Sequence, residues 1–213
     1  VIGELFVGRV PHQGAQLRLR AEVERLGPDV RERALLDAFD RGELLRTHVL
    51  RPTWHLLTPA DIRWVLAATA PRVQAGNAHW YRQLDLDDTV RGRCRELIGE
   101  MLRGGVHLTR QDIRWRLADA GIEASGQRLA YIMMDAEQEA LVCSGPRQGK
   151  QHTYALLEER APHARQLDHD DAVIELVRRY LRWHGPATRK DLQAWASLRV
   201  IDLRPAFDAL ADE

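Results

Sequence analysis

Two stretches of this chain carry side chains able to hold a polyanion. The first is Arg46–Asp61, RTHVLRPTWHLLTPAD, where Arg46, Arg51 and His55 stand beside Thr53 and Trp54. The second is the run GPRQGKQH, 145–152, which holds Arg147, Lys150, Gln151 and His152 and contains no acid. Guanidinium and ammonium groups neutralise phosphates, and an aromatic ring gives a base a face to stack on. Both stretches therefore suit contact with a nucleic-acid backbone. A hairpin that does no more than cover a small core would use the first stretch equally well.

The elements that must position these residues follow from local patterns. Thr47, Val49, Thr53 and Trp54 are β-branched or aromatic, which suits strands, and Pro52 suits the turn between them. In Thr58-Pro59-Ala60-Asp61 a hydroxyl precedes a proline and a carboxylate, the order of a helix start with Thr58 as N-cap. Upstream, Val30, Ala34, Leu35, Ala38 and Phe39 form one apolar helical stripe that Arg41-Gly42 ends. Downstream, Asp61–Val73 reads as helix, and 74–86 holds an aromatic-basic cluster, His79-Trp80-Tyr81-Arg82, that suits either base stacking or packing between domains. Next come helices at 87–102, 110–120 and 125–140, a strand at 141–143, a turn at 144–149 and a strand at 151–157. Helix, helix, helix, hairpin is the order of a winged helix, and the third helix, with Gln127, Arg128, Tyr131 and Met134, holds the recognition slot. After a polar linker, 158–166, a helix at 168–184 and Gly185-Pro186 lead to Thr188-Arg189-Lys190-Asp191-Leu192. This segment repeats the lettering of Thr109-Arg110-Gln111-Asp112-Ile113. The repeat supports at least two copies of one module. We expect a mainly α chain with short β-hairpin wings (α+β), divided into winged-helix units at 1–75, 76–160 and 168–213, the first incomplete at its start and the last ending before a wing.

Composition narrows the partners. Across 213 residues the formal net charge is zero, so no global basic field surrounds the chain. The only lysines are Lys150 and Lys190, and every other basic residue apart from histidine is arginine, a usage that arises from phosphate recognition or from a GC-rich genome. Cys94 and Cys143 match no CxxC spacing and make no disulfide framework. The longest apolar run, near 64–70, is far too short to span a bilayer, and we expect a cytoplasmic protein with no membrane partner. The chain starts at Val1 rather than Met and stops inside a helical pattern, so we expect a piece of something longer. No Walker loop, GxSxG or HExxH is present, and no cofactor or metal is expected. Asp168-His169-Asp170-Asp171 reads as an acidic helix start rather than a metal cluster.

Four stretches together resemble a known family: LLRTHVLRPTWHLLTPADIRW (44–64), HLTRQDI (107–113), LVCSGPRQGKQHTYALLEERAP (141–162) and RRYLRWHGPATRKDL (178–192). They are similar, in the same order and over nearly the whole chain, to the AlkZ/YcaQ-like bacterial DNA glycosylase superfamily. The resemblance implies tandem winged helices lining a concave, DNA-facing surface, with double-stranded DNA as the partner. It also implies release of alkylated bases and unhooking of interstrand crosslinks, carried out by a Gln-x-Gln pair just ahead of a Gly-Ala. Here the corresponding segment is Val7-Gly8-Arg9-Val10-Pro11, ahead of Gly14-Ala15, with Gly8 and Val10 at the two glutamine positions. Neither can orient a water or polarise a glycosidic bond. Gln13 and Gln16 stand close by at the wrong spacing. No catalytic residue is therefore assigned.

The reading is a DNA-binding protein of tandem winged helices, related to base-excision glycosylases. Its DNA-binding candidates are Arg46, Arg51, Thr53, Trp54, His55, Arg147, Lys150, Gln151 and His152. Trp54, His55 and the Trp80-Tyr81 pair are candidates to stack in the place of an extruded nucleotide. A non-catalytic lesion sensor or transcription regulator remains the alternative, and a protein-interaction scaffold stays open because the net charge is zero.

Overall fold

The computed structural model describes residues 28–51, 53–196 and 198–211. The Gly8 and Val10 positions, Gln13 and Gln16 lie outside the described residues.

The chain opens with helix α1 (Pro28–Arg41), ended by Gly42 at φ +79°. A hairpin follows, β1 (Leu45–Val49) and β2 (Thr53–Leu57), antiparallel with Leu45 opposite Leu57 and His48 opposite Trp54. Helix α2 (Ile62–Gln83) begins three residues later than Thr58-Pro59 predicts. Thr58 does not cap it. Its hydroxyl instead donates to Asp61 Oδ2 at 2.9 Å, and Asp61 becomes the residue before the helix.

The next six elements are α3 (Asp88–Leu102), β3 (Leu108–Thr109), α4 (Arg110–Asp119), α5 (Gly126–Gln138), β4 (Val142–Ser144) and β5 (Thr153–Leu156). The strands form one sheet in the order β3-β5-β4. Three helices before a hairpin, with the short strand between the first two helices closing the sheet, is the winged-helix topology. Asp87 caps α3 by accepting from Val90 N at 2.8 Å. Thr109 and Asp112 cap α4 reciprocally: Thr109 Oγ1 accepts from Asp112 N at 3.2 Å and Asp112 Oδ2 accepts from Thr109 N at 2.9 Å. The wing turns through Gly149 at φ +63°, with Gln148 and Gln151 bonded to each other through their backbones.

The short α6 (Leu157–Arg160) leads to α7 (His169–His184), α8 (Arg189–Ala196) and α9 (Val200–Ala209). Thr188 and Asp191 make the same pair of bonds ahead of α8 as Thr109 and Asp112 make at α4. The repeated lettering is thus a repeated cap.

Among the described residues, two hydrophobic cores form. One gathers Leu45, Leu57, Ile62 and Trp64 with Leu176, Val177, Tyr180, Leu192 and Leu203, so the hairpin, α2 and the last three helices share it. The other belongs to the winged helix: Ile98, Leu102, Ile113, Leu117, Ile132 and Val142, with Tyr81 from the end of α2. The boundary expected at 75/76 falls inside α2, which runs unbroken from the first core into the second. In the aromatic-basic cluster at 79–82, Tyr81 is buried while His79, Trp80 and Arg82 are exposed. Trp80 stacks on Tyr131 with ring centroids 5.8 Å apart, and Tyr81 meets the same ring edge-on at 6.0 Å.

Candidate nucleic-acid interface

Strand alternation decides which hairpin residues are available. Leu45, Thr47 and Val49 point into the core and are buried, so Arg46 and His48 share the opposite face of β1. Trp54, opposite His48, lies over both. Its ring centroid is 3.7 Å from that of His48 and 4.1 Å from the Arg46 guanidinium carbon. The Arg46 contact is a cation–π pair.

The winged helix clamps this hairpin from the side. Arg46 N donates to Ser144 Oγ at 2.8 Å. Gln138 Nε2 donates to His48 O at 2.5 Å, and His48 Nδ1 is bonded to the Glu137 carboxylate. Arg46 and Trp54 of the clamped hairpin share a groove with the start of α4, where Arg110, Gln111 and Arg114 face outward while Ile113 and Leu117 are buried. Gln151, His152 and Tyr154 of the wing complete the wall, and Gly126 and Leu129 of α5 complete the floor.

The result is a groove of about 530 Å³ with no carboxylate among its lining residues. That volume suits a small ligand or a short stretch of one strand, not a duplex. Its charge comes from Arg46, Arg110 and Arg114. Burial pushes the Arg46 pKa down, yet a guanidinium stays charged, and its buried Nε has no hydrogen-bond partner. Partial burial, with Arg46 and Arg147 close by, holds His152 below its ordinary value, so it enters the groove as a neutral donor or acceptor. Neither cysteine offers a thiolate. Both are buried, and burial pushes Cys143 up to about 12. The arrangement can hold phosphates, donate to base edges and stack an aromatic face.

Four of the nine candidate residues line this groove: Arg46, Trp54, Gln151 and His152. Thr53 and Arg51 are exposed at the hairpin turn, where Thr53 Oγ1 donates to Arg51 O at 3.1 Å. His55 bonds through Nδ1 to Thr53 O at 3.0 Å. Lys150 is exposed at the tip of the wing.

Arg147 is differently placed. Its guanidinium binds Asp40 at the end of α1 through Nε at 3.0 Å and Nη2 at 2.6 Å, and its backbone N donates to the same carboxylate at 2.8 Å. Asp40 neutralises the charge that the acid-free tip promised, and holds the wing onto α1. The recognition slot also differs from expectation. Arg128 of α5 donates to the Glu123 and Leu84 carbonyls, Tyr131 packs on Trp80, and Met134 accepts from Asn77 at 3.2 Å. Only the first turn of α5 reaches the groove. The outward cations stand on α4, at Arg110 and Arg114. Their i, i+4 spacing opposite Ile113 and Leu117 is the signal in the sequence that would have found them.

Known proteins match this fold. A curated relative from Streptomyces sahachiroi, an interstrand DNA cross-link repair glycosylase, is 27% identical over 221 residues, covering 97% of this chain and 59% of its own length. The solved structure of the Streptomyces sahachiroi DNA glycosylase AlkZ superposes with a TM-score of 0.70 at 24% identity, covering 85% of this chain and 50% of that one. This chain therefore spans between half and three fifths of the relatives it matches. The model of the family described as DNA glycosylase AlkZ-like matches residues 19–213, a stretch that includes every groove residue and begins after Gly8 and Val10. The chain belongs to the AlkZ-like DNA glycosylase family.

Proposed function

We propose that this chain binds damaged duplex DNA, as the DNA-holding part of a glycosylase that acts on alkylated or crosslinked bases. The observation that carries the reading is the acid-free groove lined by Arg46, Arg110 and Arg114, in which Arg46 lies over the indole of Trp54. The arginines meet phosphates of one strand, Gln111 and Gln151 offer amide donors and acceptors, and Trp54 stands where an unstacked base or the gap it leaves can be covered. The volume of the groove favours a locally opened duplex over an intact one.

Base release is a further step, and Gly8 and Val10 at the expected glutamine positions argue for testing it separately from binding. The first experiment is fluorescence anisotropy on a short duplex, with and without a central abasic-site analogue, across a salt series. Tighter binding to the abasic duplex that weakens steeply with salt supports the proposal. Equal binding to both duplexes favours a general DNA-binding module. No binding at low salt overturns the DNA reading. A base-release assay on alkylated duplex then separates an active glycosylase from a lesion-binding relative.

A further inference from the structure

Among the described residues three acids are almost completely buried, and one of them is held unlike the other two. Asp61 takes Trp64 and Arg179 on Oδ1, and Thr58 and Arg179 on Oδ2. Asp135 takes Arg91 on one oxygen and Arg95 on the other. Each thus has both oxygens engaged and an arginine to balance its charge. Glu137 is 0% exposed, binds His48 with Oε2, and leaves Oε1 without a partner. The Nε of Arg46, on the same face of β1, is also buried and unpartnered. A buried acid with one orphan oxygen, and with a histidine rather than an arginine on the other, is a poor way to stabilise a fold.

Its placement suggests another use. Glu137 sits at the end of α5 in the winged helix, and His48 sits on β1 in the other core. His48 carries Trp54 on its ring, and Trp54 in turn lies over Arg46. One chain of contacts thus runs from the buried acid to both groove residues contributed by the hairpin. The charged and titratable groups facing Glu137 are His48 and Arg46 from β1, Tyr154 from β5 and Cys143 from β4. We propose that Glu137 is a positioning residue: acting through His48, it fixes the Trp54–Arg46 pair in the geometry that DNA needs, and it lowers fold stability in doing so. This rests on the groove being the DNA site. Burial raises the Glu137 pKa, which agrees with an acid that is unfavourable to the fold when ionised.

The test is Glu137→Gln in the full chain, read three ways: thermal melting, affinity for the abasic-analogue duplex, and the emission of Trp54. That emission is obtained by subtracting a Trp54→Phe counterpart, over about pH 5 to 8, where histidine changes charge. The expected result is a melting temperature equal to or above wild type, affinity about tenfold weaker, equivalent to one lost hydrogen bond, and an altered amplitude in the Trp54 pH profile. Unchanged affinity overturns the proposal. So does a loss of affinity that comes with a lower melting temperature and is fully restored, along with stability, by the apolar pair His48→Leu/Glu137→Leu. If wild type binds no DNA, the DNA reading fails by itself. The emission then decides the positioning role, which a Trp54 profile unmoved by Glu137→Gln overturns.

Discussion

Arg114 and Arg147 look alike in composition and differ in what surrounds them. Arg114 lines the groove from α4 and no carboxylate lines that groove with it. Arg147 makes a two-pronged pair with Asp40, and the bonds and charge it supplies hold that carboxyl below its usual value. Replacing each by alanine should therefore give different results. Arg114→Ala should weaken duplex binding and reduce the salt slope by about one phosphate contact. Arg147→Ala should leave that slope unchanged and lower stability only slightly, as expected of a pair open to water. Anisotropy across a salt series and urea denaturation check the two halves. Equal effects on the slope would return Arg147 to the DNA surface.

Helix α4 delivers three groove residues from its first five positions, so its N-terminus sets their direction. The Thr109–Asp112 box holds that end. Thr109→Ala removes one of the two reciprocal bonds and should cost about 1 kcal/mol. It should also weaken DNA binding, because Arg110 and Gln111 then fray with the first turn. Thr109→Ser keeps the oxygen and should preserve both properties. Thr188→Ala, at the matching cap of α8, should cost a similar amount of stability and leave binding alone. Melting curves and anisotropy on the three variants check this pattern. Both caps are legible in the sequence because capping joins residues three apart. The start of α2 is not. Thr58-Pro59 has the local signature, yet Thr58 is drawn to Asp61, and Asp61 is in turn held by Arg179, which lies 118 residues away.

In the molecule as a whole, that Asp61–Arg179 contact ties α2 to α7 within the larger core. Burial alone would raise the Asp61 pKa, but the bonds from Arg179, Trp64 and Thr58 outweigh it and hold the carboxyl below its ordinary value. A carboxylate with a lowered folded pKa contributes stability above its unfolded value, and that contribution is lost as pH falls through the folded value. The melting temperature should therefore drop as pH falls below about 4. Asp61→Asn should lower stability by about 3 kcal/mol near neutral pH, since it leaves the largely buried Arg179 with Glu175 as its remaining carboxylate partner, and should flatten the acid limb. Calorimetry from neutral to acid pH tests both. The same contact joins segments far apart in the chain. The hairpin and α2 bury their apolar faces against α7–α9, and α2 continues into the winged helix.

Local chemistry determined the periodic helices, the caps, the wing turn at Gly149 and the presence of a hairpin at 45–57, because each depends on residues a few positions apart. The family likeness was also readable, since LRPTWHLLTPAD and GPRQGKQH keep their order and spacing along the chain. Long-range packing decided the rest. Arg46 and Gln151 meet in one groove because Ser144 and Gln138 hold β1 against the winged helix. Arg147 is withdrawn from that groove because Asp40, 107 residues earlier, reaches it first. Which cation is free and which is spoken for depends on contacts between distant segments, and the order of residues along the chain does not record those distances.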